Sequence, residues 1–99
     1  MKIEKTKNGA LLTVKLEGKL DTVTAPELER ALKDELPAGG ELVFDFSSLE
    51  YISSAGLRAL LSAQKSMTVT GGSMKVTGAN DLVNEVFEVT GFSEILTVE

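Results

Sequence analysis

The 99-residue sequence contains no cysteine, no histidine and no tryptophan, and only one tyrosine. Without cysteine there are no disulfides and no thiolate chemistry, and redox usage gives no guide to compartment. Without cysteine or histidine the ordinary zinc and copper ligand sets are out of reach, so no metal or cofactor is expected. A serine–histidine–acid triad within the chain is excluded for the same reason. Basic charge is also short: 10 Lys and Arg stand against 15 Asp and Glu, for a net charge of −5. A nucleic acid or an anionic membrane needs a basic patch that this balance does not supply. No apolar run approaches the roughly 20 residues of a membrane-spanning helix, and the opening MKIEKTKNGA does not read as a signal peptide. The expectation is one soluble, cytoplasmic domain over residues 1–99, a common size for an independent fold.

What is present is an aliphatic chain, 42% hydrophobic with four Phe. It is organised around residues 42–61, LVFDFSSLEYISSAGLRALL. Leu42, Val43, Phe44 and Phe46 predict a buried strand, interrupted by Asp45. A short polar loop over residues 47–51 is expected next. Leu57, Leu60 and Leu61 then recur at helical spacing. Between strand and helix lie Ser53, Ser54, Ala55 and Gly56. A helix start of this kind suits an anion, because its first N–H groups are unpaired and its dipole favours negative charge.

The flanking segments read in order. Asn8-Gly9 signals a hairpin, and Leu12, Val14 and Leu16 alternate after it. Thr24, Pro26 and Glu27 predict a helix start with Thr24 as cap and Glu27 completing a capping box. Leu28, Ala31, Leu32 and Leu36 mark its buried face, and Pro37 with Gly39-Gly40 ends it. Met74 and Val76 belong to a short strand. Asn80 predicts the cap of a last helix with the stripe Leu82, Val83, Val86 and Phe87, closed by Gly91. Ile95, Leu96 and Val98 suit a final strand or a docked tail. Strands alternating with helices after a hairpin predict an α/β fold: a mixed, largely parallel sheet of four to five strands with three or more helices packed against it.

Ser54 has two readings on its residues alone. It is an exposed hydroxyl at a helix mouth, where an added phosphate would gain the helix N–H groups and about −1.5 to −2 charges. The reading preferred on the residues alone is a capping serine, which needs no further purpose. Ser53 carries the same ambiguity. Asp21 and Asp45 close two strands that, as parallel neighbours, would bring both acids to one sheet end near Ser54. Alternatively each serves the N–H groups of its own loop, as Asp commonly does; that is preferred for Asp45 and left open for Asp21. The segment GGSMKVTG matches neither a Walker loop nor a dinucleotide fingerprint.

The run DFSSLEYISSAGLRALL resembles the core signature of the STAS domain, the domain of anti-sigma factor antagonists that is also found in sulfate transporters. GKLDTVTAPEL is similar to the family's loop after the second strand, and ANDLVNEVFEVTGFSEILTV to its last helix and ending. The resemblance spans nearly the whole chain in the family's order. It implies a STAS-type fold and an anti-sigma factor antagonist in a partner-switching pathway. Such a protein binds an anti-sigma factor that is also a serine kinase, and it is released when that kinase phosphorylates it. Ser54 occupies the phosphorylated position, Gly56 and Leu57 the glycine and leucine that follow it, Asp21 the acid of the neighbouring loop, and Asp45 the acid of the Asp-hydrophobic-Ser segment. Asp21, Thr22, Ser53, Ser54, Ala55, Gly56 and Arg58 are the implied partner-binding residues. The chain departs from the pattern twice, with Ser53 where Asp is common and Arg58 where Gly is common.

The resemblance implies a regulator of transcription that is substrate and ligand rather than enzyme, a monomer or weak dimer, with ATP belonging to the partner kinase. A second expectation is a non-phosphorylated docking subunit of a transporter ATPase or larger signalling complex. A small enzyme built on Asp21, Asp45 and Ser54 is the third. With no His or Cys in the chain, its base and nucleophile are poorly provided for.

Overall fold

The computed structural model describes residues 1–99. Strand β1 (Lys2–Asn8) turns through Gly9 and Ala10 into β2 (Leu11–Leu20), pairing antiparallel from Lys2↔Glu17 to Asn8↔Leu11. Gly9 takes φ +62°, the left-handed conformation that tight hairpin turns demand and glycine tolerates. Leu12, Val14 and Leu16 are fully buried, as their alternation predicts, and the strand runs on past Gly18 to a fully buried Leu20. Helix α1 (Ala25–Leu32) leads to β3 (Glu41–Ile52), which lies parallel to β2. Helix α2 (Ser54–Val69) leads to β4 (Ser73–Thr77), and α3 (Asp81–Thr90), with a 3₁₀ turn at Phe92–Glu94, leads to β5 (Thr97–Val98). The sheet order is β1-β2-β3-β4-β5, all parallel except the first pair.

Because the order never doubles back, each right-handed crossover places its helix on the same side of the sheet. The contacts agree. Lys5 shares the buried side with its partner Val14 and donates to the Ala31 carbonyl at the end of α1, 2.9 Å away. Phe87 of α3 stacks on Phe46 of β3, ring centroids 6.4 Å apart. All 22 core residues form one cluster between helices and sheet, with Phe44, Phe46 and Phe87 its largest side chains. The opposite sheet face has no helix over it. Thr13, Lys15, Val43, Asp45, Lys75 and Thr77 stand there half-buried.

Three local expectations are corrected. Residues 47–51 are not a loop, because β3 continues to Ile52 and Leu49 is 2% exposed. Two register shifts against β2 give β3 two extra residues, and such bulges erase the alternation that would have revealed a strand. Helix α1 stops at Leu32, before Leu36. Asp34 adopts φ +62°, which a short polar side chain tolerates and a helix cannot continue through. The capping box of Thr24 and Glu27 does not form, since Thr24 makes no side-chain cap bond. Its hydroxyl instead donates to the Lys19 carbonyl and accepts the Asp21 N–H, both at 2.8 Å. Asn80 caps α3 as expected, accepting from the Val83 N–H at 2.8 Å, and Gly91 ends that helix at φ +79°.

Candidate functional site

The site lies where β2 and β3 end together. Leu20 pairs with Ile52 in the parallel register, and one residue further the Ser53 N–H donates to the Leu20 carbonyl at 2.9 Å. That bond sets the start of α2 against the start of the Asp21 loop. Ser53 is the N-cap: its backbone is extended, its Oγ accepts from the Gly56 N–H at 3.4 Å, and its carbonyl accepts from Leu57. Ser54 is then the first helical residue, exposed, with its hydroxyl in no hydrogen bond within the chain. The two serines, indistinguishable in sequence, thus divide the work between them.

Gly56 explains how the helix comes so close. A Cβ there would lie 2.8 Å from the Ile52 side chain and 2.8 Å from both the Leu20 side chain and its carbonyl oxygen. Only glycine lets the first turn of α2 rest directly on the ends of β2 and β3. Ala55 beside it is half-buried, and Arg58 is exposed one turn beyond Ser54, at the i+4 position that shares its helix face.

Asp21 is held by its own loop. Its Oδ1 accepts the Val23 N–H at 3.0 Å and the Thr24 N–H at 3.1 Å, organising the entry to α1. The Thr24 N–H bond is the main cause that holds its carboxyl below the usual carboxylate range, with the Val23 N–H, the Thr24 hydroxyl and Lys19 adding to it against some desolvation. Both readings of Asp21 therefore meet in one residue: it serves its own turn, and it stands beside the tip of α2. Thr22 and Val23 project from the same turn, Val23 at 77% exposure. Tyr51, 40% exposed, pairs with Lys19 across the strand ends. Val23 and Tyr51 escape a search for polar motifs. Their signal is a lone apolar residue in a threonine-rich turn and the chain's single tyrosine.

Asp45 is not brought to Ser54. It lies mid-strand, paired with Lys15 and Thr77, on the helix-free face. Seven residues of strand, about 23 Å, separate it from Ile52. The hydroxyl and N–H of Ser47, the latter donating to Oδ1 at 2.9 Å, hold its carboxyl below the usual range, with Lys15 adding to the effect. The preferred reading, an aspartate serving its own neighbours, is the one observed. The clustering of two acids at the sheet end is overturned by the extra length of β3. No three Asp or Glu side chains are arranged so that they could hold a metal ion. The adjoining ends of β2 and β3 thus carry an unengaged hydroxyl on Ser54, a carboxylate held by its own turn on Asp21, and the exposed Val23 and Tyr51.

A family model described as "Mlab, STAS domain" matches residues 3–97. A Bordetella bronchiseptica protein described as an anti-sigma factor antagonist, BtrV, is 34% identical over 99% of this chain and 85% of its own length. A Thermotoga maritima structure titled as that of an anti-sigma factor antagonist superposes with a TM-score of 0.88 at 18% identity, over 97% of this chain and 84% of that one. The Bacillus cell fate determinant SpoIIAA in its phosphorylated form superposes with a TM-score of 0.76 at 14% identity, over 99% of this chain and 91% of that one.

Proposed function

Since the chain belongs to the STAS domain family, we propose that it is an anti-sigma factor antagonist whose docking face is the tip of α2 and whose release is triggered by phosphorylation of Ser54. The observation that carries this reading is the division between the two serines: Ser53 is spent on the cap, and Ser54 keeps an exposed, unengaged hydroxyl. The description of the Bordetella relative supports the antagonist role, and the phosphorylated form of SpoIIAA supports a phosphate on this fold.

On this reading Asp21, Thr22, Ser53, Ser54, Ala55, Gly56 and Arg58 meet the partner, with Val23 and Tyr51 as apolar contacts at the rim. Gly56 and Ser53 act by position, holding the tip against the strand ends. The partner is an anti-sigma factor with serine kinase activity, which supplies the ATP. Its occupation by this chain frees the sigma factor. Phosphorylation need not refold α2, because a helix N-terminus already favours an anion. It places bulk and about two negative charges in the contact, beside the Asp21 carboxylate. A tenfold loss of affinity requires only about 1.4 kcal/mol, which a charge newly desolvated or set against an acid readily exceeds.

The second reading uses the same face without phosphorylation, as a docking subunit of a larger machine; Ser53 in place of the family's common acid favours it. Two measurements separate them. Affinity pull-down with mass spectrometry should recover an anti-sigma factor kinase, and Ser54→Asp should abolish its binding while Ser54→Ala preserves it. Recovery of transporter components instead, or full binding by Ser54→Asp, overturns the switch.

A further inference from the structure

Three of the six large apolar side chains that the fold leaves exposed lie beyond residue 80: Leu82 at 49%, Val89 at 77% and Ile95 at 52%. Leu82, the half-buried Val86 and Val89 stand at i, i+4 and i+7 on α3, which makes one continuous stripe. It lies next to the Val83 and Phe87 positions that pack into the core. Asp81, Glu85 and Glu88 repeat the same spacing one residue earlier, all exposed, so an acidic stripe runs along the apolar one. Ile95 and Glu94, both exposed, follow at the 3₁₀ turn that packs against α3.

The charge of the molecule is divided with equal sharpness. Through Lys75 the chain carries ten acids and ten bases; beyond it there are five acids and no base. The entire net charge of −5 therefore resides in residues 76–99. Glu99 is paired with Lys75, but Asp81, Glu85, Glu88 and Glu94 take part in none of the salt bridges. Glu88 stands in the last turn of α3, which has no basic residue, against the negative end of the helix dipole.

We infer that the outer face of α3, Leu82–Val86–Val89 with its flanking carboxylates, docks a protein segment that is apolar along one side and edged by Lys or Arg, in the manner of a basic amphipathic helix. Burial of the stripe and neutralisation of the acids then favour the same occupant. A second copy of this chain would bring the same four unpaired carboxylates into opposition. Anionic lipid and nucleic acid are repelled on the same ground. The inference does not depend on Ser54 or its phosphorylation.

The test is an NMR titration of the isotope-labelled chain at low salt. The probe is a synthetic helix of about 18 leucines and lysines with the leucines on one side, long enough to be helical. The control has the same composition, scrambled to destroy the apolar side. Shifts are expected to cluster on residues 81–95 and to weaken with salt, and the control should bind at least about tenfold less tightly. Leu82→Gln with Val89→Gln, and separately Asp81→Asn with Glu85→Gln and Glu88→Gln, should each weaken the probe by about tenfold or more. All five positions are exposed, so retained spectral dispersion is expected in both variants. Shifts centred elsewhere, equal binding of the scrambled control, or wild-type affinity in either variant overturns the inference.

Discussion

The Ser53 N–H lies 2.9 Å from the Leu20 carbonyl oxygen, and that bond joins the mouth of α2 to the end of β2. Leu20 precedes Asp21, and Ser53 precedes Ser54. One backbone hydrogen bond thus sets the start of the Asp21 loop against the start of α2.

That junction depends on the missing side chain of Gly56. Gly56→Ala should force the Leu20 backbone, the Ile52 side chain or the helix itself to move, since a Cβ would lie 2.8 Å from each neighbour. The expected cost is about 1–3 kcal/mol, despite alanine's better helix propensity. Urea unfolding followed by circular dichroism measures it; a neutral or stabilising outcome would show that the contact is softer than described.

The two adjacent serines should separate cleanly by stability. Ser53→Ala removes a cap whose bond is long, 3.4 Å, so a loss of about 0.5–1 kcal/mol is expected. Ser54→Ala should change stability by less than about 0.5 kcal/mol, as surface substitutions usually do. Binding should show the reverse order, with only the charge introduced by Ser54→Asp abolishing partner capture.

Arg58 sits one turn from Ser54 on the same helix face. If Ser54 carries a phosphate, the guanidinium should favour its dianionic form and lower its second pKa. Phosphorus NMR titration of phosphorylated chain should therefore give a higher value in Arg58→Gln than in the unaltered protein. Identical titrations would place the two groups out of reach of each other.

Acid should destabilise the fold in a defined window. The Asp21 and Asp45 carboxyls are both held below their ordinary range in the folded chain. A depressed folded value means that the unfolded chain binds protons first. The stabilisation is complete above the ordinary carboxylate pKa and is lost as pH falls through the depressed folded value. Thermal unfolding from pH 7 to pH 2 should show midpoints declining below about pH 4, and Asp21→Ala with Asp45→Ala should flatten part of that decline. An unchanged slope in the double variant would rule the two carboxyls out as its source.

Much of this fold was legible in the chain because its patterns are regular where the structure is regular. Leu12, Val14 and Leu16 alternate and are buried; Asn80 and Gly91 bracket α3 as a cap and a left-handed stop should. The failures fall where geometry departs from a simple period. Two extra residues in β3 disguised strand as loop, and the left-handed Asp34 shortened a helix whose apolar spacing ran on to Leu36. Ser54 could be singled out, but its separation from Ser53 turns on one hydrogen bond that no spacing reveals. Asp45 stands far from Ser54 because its distance from the strand end is the length of the segment that the two extra residues in β3 disguise. Nor does the sequence separate the exposed side of α3, because Leu82 and Val86 fall in one apolar stripe with Val83 and Phe87, and only the latter two are buried.

The strand order carries a consequence for how the molecule assembles and comes apart. Each strand lies beside its neighbour in the chain, so none must be threaded between two others already in place, and the sheet can grow outward one strand at a time. The two-residue β5, paired only with Lys75 and Val76, should be the strand that opens most readily. Amide hydrogens of Leu42 and Phe44, in the middle of the row, should outlast those of Thr97 and Val98 in deuterated water by the widest margin in the protein.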